Sequence, residues 1–235
     1  MIQRILILNL FFLSIGQLSF AQKPDPIRTR HGLIKVEGAI HSRQVVLETA
    51  AGISPITQFN SWEEVLALRL SQDERFLLIY HKTNNESGRN FTTINLESLQ
   101  TIATAKPGYG GRFEWTRNNN IIHIWGCGAP CSCFQLLDKD LNNITEYCET
   151  GFQAFTEKDM LIALPLLSVQ NGVFKIWSLR NGRLLDTINF ADKHGEYTCR
   201  GIESTENGLL ADLRKIDKPD SAIIERFPLF VKHGQ

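Results

Sequence analysis

Ser71-Gln-Asp-Glu-Arg-Phe76-Leu-Leu-Ile-Tyr80 decides the fold: a hydroxyl residue, a polar turn, then an unbroken apolar run. The same order recurs at Thr116-Arg-Asn-Asn-Asn-Ile121-Ile-His-Ile-Trp125, at Thr156-Glu-Lys-Asp-Met-Leu161-Ile-Ala-Leu164 and at Ser204-Thr-Glu-Asn-Gly-Leu209-Leu-Ala-Asp-Leu213. In each, the hydroxyl precedes the first apolar anchor by five positions, and the anchors Phe76, Ile121, Leu161 and Leu209 recur every 40 to 48 residues. An apolar run of this length, without alternation, reads as a strand buried on both faces.

A second pattern follows each of the first three. Phe91-Thr-Thr-Ile-Asn-Leu96 leads through Glu97-Ser98 to Gln100-Thr-Ile-Ala103. Cys133-Phe-Gln-Leu-Leu137 leads to Asn143-Ile-Thr-Glu-Tyr147, and Val173 to Leu179 passes through Arg180-Asn181-Gly182 to Leu184-Leu-Asp-Thr-Ile188. Ala222 to Phe227 is a weaker copy. Asn-Gly between two such runs is a strong hairpin signal. Each unit therefore reads as two hairpins, four short strands in all. Units of about 40 to 50 residues with a doubly buried inner strand fit radially stacked blades. The expected fold is all-β, a β-propeller-like array of four units, with a β-sandwich as the alternative.

Residues 23–61 are left over. Gly32 to Glu37 and Gln44 to Glu48 read as two further strands, forming either a short fifth unit or the strand that completes the last one. Gln22 to Arg30, with two prolines, reads as an extended leader, which puts the domain at 32–235. Ser61-Trp62-Glu-Glu reads as a capping box over a single helical turn.

Ser71-Gln-Asp73-Glu-Arg-Phe-Leu-Leu-Ile resembles the turn and strand of WD40-like (PD40) repeats of exported propellers. Asn171-Gly-Val-Phe-Lys-Ile-Trp-Ser-Leu-Arg-Asn-Gly-Arg-Leu-Leu is similar to the third strand and turn of WD40 repeats, with Ser178 where that pattern has Asp. The resemblance covers residues 65–228 and implies a binding platform more than an enzyme. Gly126-Cys127-Gly128-x-x-Cys131 also resembles a segment of small exported bacterial proteins of unassigned function.

The N-terminus carries an address. Arg4 precedes the apolar stretch Ile5 to Gly16, and Ser19-Phe-Ala21 supplies small residues before Gln22. That order is a secretory signal peptide, residues 1–21, and the apolar run falls short of the roughly 20 residues a membrane span needs. No later segment is long and apolar enough to span a bilayer. The protein is expected to be exported, periplasmic or extracellular. With 25 Lys+Arg against 25 Asp+Glu, the chain offers no basic surface for nucleic acid.

All five cysteines follow the signal peptide, so disulfides are the default reading in an oxidising compartment. Folding 133–148 about the loop Lys139 to Asn142 sets Leu137 against Ile144, Gln135 against Glu146 and Cys133 against Cys148. A bridge there contributes on the order of 3 kcal/mol. Cys127 and Cys131 then close the Gly-Ala-Pro turn, and Cys199 is left over. A rival reading takes His123, Cys127, Cys131 and Cys133 as soft metal ligands, although spacings of three and one residue are not those of zinc knuckles. Another is a thiol enzyme centred on Cys127, Cys131 and Cys133, although C-x3-C is not C-x-x-C.

No nucleophile elbow, phosphate loop, zinc-protease helix or dinucleotide fingerprint is present in the sequence, and no cofactor is expected. Function is instead assigned to loops at one rim: His81 to Asn90, Lys106 to Arg112, Ala191 to Tyr197 and Lys215 to Asp220. Tyr109 and Arg112 are the candidate binding residues, being hot-spot types among glycines, against the reading of this segment as a flexible connection between units. The expected protein is a non-catalytic binding or structural module of the cell envelope, its partner a protein or other envelope component. An inhibitor or immunity-type protein acting on an envelope enzyme is the alternative.

Overall fold

The computed structural model describes residues 23–39, 42–59, 63–83, 89–106, 110–128, 131–149, 151–163, 173–189, 197–206, 208–215 and 224–229. The expected signal peptide, residues 1–21, together with Tyr109 and most of the four candidate loops, lies outside them.

Five antiparallel sheets follow one another along the chain, each a meander of sequential strands. The first holds β1 (Ile27–Thr29), β2 (Gly32–Glu37), β3 (Gln44–Thr49) and β4 (Gly52–Pro55). The second holds β5 (Glu63–Leu70), β6 (Phe76–Thr83), β7 (Arg89–Asn95) and β8 (Gln100–Ala105). The third holds β9 (Arg112–Trp115), β10 (Ile121–Gly128), β11 (Cys131–Leu137) and β12 (Asn143–Glu149). The fourth holds β13 (Phe152–Phe155), β14 (Met160–Ala163), β15 (Val173–Ser178) and β16 (Leu184–Asn189). The described strands of the fifth are β17 (Tyr197–Thr205), β18 (Gly208–Lys215) and β19 (Ile224–Leu229).

This is a β-propeller-like array. The remainder at the N-terminus is a full four-stranded sheet, to which the expected leader contributes β1. Its outer strands were hidden because β1 has three residues and β4 is exposed along its whole length. Among the described residues, no N-terminal strand joins the fifth sheet. The helical turn expected from Ser61 is not the course the chain takes: Glu63–Leu70 is a strand paired along β6, with a bulge between Val65 and Ala67. Ladder pairing and burial of Val65 and Leu68 outweigh the local helical signal there.

The inner strands hold the array together. On β6, Leu77 and Ile79 pack toward the first sheet, while Phe76, Leu78 and Tyr80 pack toward the third. On β10, Ile121 faces the second sheet and Ile122 the fourth. On β14, Leu161 and Ala163 face the third sheet, and Met160 and Ile162 face the fifth. Successive side chains on a strand point to opposite faces, so a strand walled on both sides must be apolar throughout. Each fully buried Leu or Ile contributes about 1.5–3 kcal/mol.

The repeated hydroxyl belongs to the first turn of the second, third and fourth sheets, whereas Ser204 is still in β17, paired with Leu209. In the second sheet, the Phe76 N–H donates to Ser71 Oγ at 2.9 Å, and Ser71 Oγ donates to Asp73 Oδ1 at 2.8 Å. In the third sheet the turn is one residue shorter: Thr116 closes on Asn120, whose N–H donates to Thr116 Oγ1 at 3.2 Å. The structural counterpart of Ile121, Leu161 and Leu209 is therefore Leu77 rather than Phe76, since all four face the preceding sheet. A left-handed residue completes the turn at Glu74, Asn119 and Asp159.

Polar links cross between sheets at the same turns. Asn119 Nδ2 donates to Asp73 Oδ2 at 2.9 Å, and Asn120 Nδ2 donates to the Leu179 and Arg180 carbonyls, each at 2.9 Å. Burial pushes the Asp73 carboxyl up, but hydrogen bonds from Asn119, Ser71 and the Arg75 N–H outweigh it and hold the group below its ordinary value. Gln153 exchanges two hydrogen bonds with the Ile202 backbone, joining the fourth sheet to the fifth.

Candidate functional site: the cysteine end of the third sheet

In a four-stranded meander, the turn between strands two and three leaves from the same end as the exit toward the next sheet. The β10–β11 turn with its cysteines and the Lys106 to Arg112 connection therefore lie at the same end of the third sheet. Register brings them together: Arg112 pairs with Ile124, and a Cβ on Gly111 would run into the Ile124 carbonyl oxygen. Only glycine permits that approach. Arg89, which opens β7, places its guanidinium against Gly110 and donates to Tyr80 Oη at 2.9 Å.

Along β10, Ile121, His123 and Trp125 alternate onto the face that meets the second sheet, and Cys127 follows them at the rim. The sequence thus runs from core to rim. Trp125 pairs with Cys133, and Cys133 pairs with Cys148 across β11 and β12. A bulge between Gly126 and Gly128 leaves Cys127 as the extra residue, with Gly128 at φ 119° carrying the chain into the turn. Bulges re-aim the residue they insert.

The structure joins Cys133 to Cys148, with Cα atoms 4.0 Å apart, and Cys127 to Cys131, with Cα atoms 5.1 Å apart. The sulfurs of Cys127, Cys133 and Cys148 lie within 4.8 Å of one another. Cys127 and Cys148 are exposed, and Cys133 is buried. The facing of Cys133 with Cys148 and of Gln135 with Glu146 follows the hairpin register read from the sequence. Nearer the turn it differs: Leu137 faces Asn143, because a bulge after Leu136 inserts Ile144 and the turn closes from Asp138 to Asn142. Asp138 Oδ1 accepts from the N–H groups of Asp140 and Asn142, and Leu141, buried at φ 61°, sets the bulge.

His123, the fourth member of the metal reading, is not part of the sulfur cluster. Its ring is fully buried, stacked on Trp125 at 4.9 Å and edge-on to Phe91 at 5.2 Å. Cys199 lies in β17, and its side chain is outside the described residues. Arg112 is exposed, and its Nε donates to Glu114 Oε1 of the same strand at 3.0 Å.

His81, expected at the start of a rim loop, is instead a buried strand residue on β6, and Arg89 and Asn90 already belong to β7. Its ring stacks on Phe59 at 4.5 Å, and Nε2 shares a hydrogen bond with Thr92 Oγ1 at 2.9 Å. Burial lowers its pKa from 6.5 to about 4, so the imidazole is neutral in ordinary buffers. Nothing in the apolar sequence Leu-Leu-Ile-Tyr-His signals this except position: His81 continues the alternation of Leu77 and Ile79.

No family profile matches the sequence, and no curated protein matches it. Among solved structures, the chain is similar to an uncharacterized protein from Listeria monocytogenes EGD-e, with 16% identity over 83% of this chain and 62% of that one, TM-score 0.47. It is also similar to the β-propeller domain of the Trilobed protease from Pyrococcus furiosus, with 11% identity over 83% and 80%, TM-score 0.46. The WD40 domain from Toxoplasma gondii coronin shares 8% identity over 77% and 50%, TM-score 0.41. The chain spans less than two thirds of the length of the Listeria protein.

Proposed function

We propose that the protein is an exported, non-catalytic binding module of the cell envelope, which engages a protein partner through the end of the array that bears the cysteine hairpin. One observation carries this reading: the Lys106 to Arg112 connection and the cysteine turn, far apart in character, meet at one end of the third sheet through the Arg112–Ile124 pair and the Gly111 contact. Two bridges beside the connection make that end rigid, which lowers the entropy lost when a partner docks. The apolar N-terminal run and the paired thiols support export to an oxidising compartment.

The test is capture from an envelope fraction with tagged protein, comparing Tyr109→Ala/Arg112→Ala with Arg117→Ala, an exposed residue in the turn at the opposite end of the sheet. The expected result is at least a tenfold loss of the captured partner in the first variant and no change in the second. Capture of nothing, or equal loss in both variants, refutes the assignment. Export is checked separately by sequencing the N-terminus of the accumulated protein, which should begin at Gln22.

A further inference from the structure

We propose that the two bridges form one thiol–disulfide exchange centre, in which reducing equivalents from a dithiol enter at Cys127–Cys131 and emerge as a thiol on Cys148. Three observations carry it. Cys127 sits at a bulge and is exposed, so its bridge is open to an incoming thiolate. That bridge closes a separation of only four residues, against fifteen for Cys133–Cys148, so chain entropy protects it less. The Cys127 sulfur also lies within 4.8 Å of both sulfurs of the second bridge.

The steps balance without any further oxidant. A dithiol's thiolate attacks the exposed Cys127 Sγ, the Cys127–Cys131 bond breaks, and its electron pair leaves on Cys131, which takes a proton. The second thiol of the dithiol then displaces Cys127, yielding the oxidised dithiol and a Cys127 thiolate. Cys127 thiolate next attacks Cys133 Sγ. A Cys127–Cys133 bond forms, the Cys133–Cys148 bond breaks, and the electron pair leaves on Cys148, which takes a proton from water. The two reducing equivalents of the dithiol end as thiols on Cys131 and Cys148, and the two protons it releases are balanced through water. Burial sets the direction of the second exchange: the better leaving group is the solvated sulfur, and Cys148 is exposed whereas Cys133 is only 3% exposed. The substrate class is thus a small dithiol or a dithiol protein able to reach the bulge.

The experiment uses the full mature chain with C199S, which keeps the fifth thiol out of the readout, and one molar equivalent of dithiothreitol. Samples are quenched with N-ethylmaleimide at intervals and mapped by non-reducing peptide mass spectrometry. The expected outcome is label on Cys131 and Cys148 with a Cys127–Cys133 bridge, and at least tenfold slower labelling of Cys148 in C127S/C131S. Label confined to Cys127 and Cys131, with Cys133–Cys148 intact, overturns the proposal. Equal rates of Cys148 labelling in the two proteins also overturn it. C131S gives a second test with no reductant, since its Cys127 thiol should release Cys148 to the label; label on Cys127 alone overturns the exchange.

Discussion

Burial of His81 ties the stability of the array to pH in a window that carboxylates do not cover. The folded protein holds the imidazole at a pKa of about 4 against an ordinary 6.5, because its ring lies between Phe59 and the second sheet, out of water. The unfolded chain therefore binds the extra proton first. Stability from this group is fully present above 6.5 and is lost as pH falls from 6.5 toward 4. By linkage, the loss is about 2 kcal/mol between pH 7 and pH 5 and about 3 kcal/mol by pH 4. The assay is urea unfolding of the wild type and His81→Gln at half-unit steps from pH 8 to pH 4, reading the difference between the two curves. Glutamine keeps a polar end near Thr92 and does not titrate, so carboxylates common to both proteins cancel. The difference should narrow by about 2 kcal/mol between pH 7 and pH 5, His81→Gln gaining on the wild type. A difference that stays flat across this range refutes a buried neutral imidazole.

Further substitutions probe one link between sheets and two close approaches within the third sheet. Asn120→Asp sets a carboxylate against the Leu179 and Arg180 carbonyls in place of the amide that donates to both, and should cost about 3 kcal/mol by urea unfolding; an unchanged midpoint would sink the link. Gly111→Ala drives a Cβ onto the Ile124 carbonyl oxygen and should cost about 1–3 kcal/mol, whereas Gly126→Ala meets nothing within 4 Å and should cost under about 1 kcal/mol. Thermal unfolding distinguishes the two, and equal losses would count against the close approach. Replacing Cys133 and Cys148 together by serine should cost about 3 kcal/mol in denaturant; a loss no larger than that of Cys127→Ser/Cys131→Ser would show that the longer loop confers no advantage.

What the sequence reveals is what neighbouring residues decide among themselves. Leu77-Leu-Ile and Ile121-Ile announce a strand walled on both sides because period and burial are local facts. The facing of Cys133 with Cys148 is legible because a hairpin turn propagates its register outward. The bulge after Leu136 and the shortened turn at Thr116 are not legible, since either turn length satisfies the same polar residues. β1 and β4 escape because edge strands of three and four residues bury too little to need an apolar pattern. The contacts of Asn120 with Leu179 and Arg180 are invisible for another reason: their partners lie about 60 positions away, and only the stacking of sheets brings them near.

The two faces of β6 differ in kind. The wall between the first and second sheets is mainly aliphatic, with Ile34, Val36, Val45, Leu47, Leu77 and Ile79, and the Phe59–His81 stack is its aromatic element. The wall between the second and third is aromatic, with Tyr80, Phe91, Phe113 and Trp115. The second sheet is therefore an adaptor, shaped to one neighbour on its left and a different one on its right. Deleting or transposing a unit would press branched aliphatics onto rings they do not fit, even though every unit is built on the same plan. The chain has the grammar of a repeat protein, in which stability sums over neighbouring interfaces, but its units are not interchangeable words. Their order is written into the shape of the walls between them.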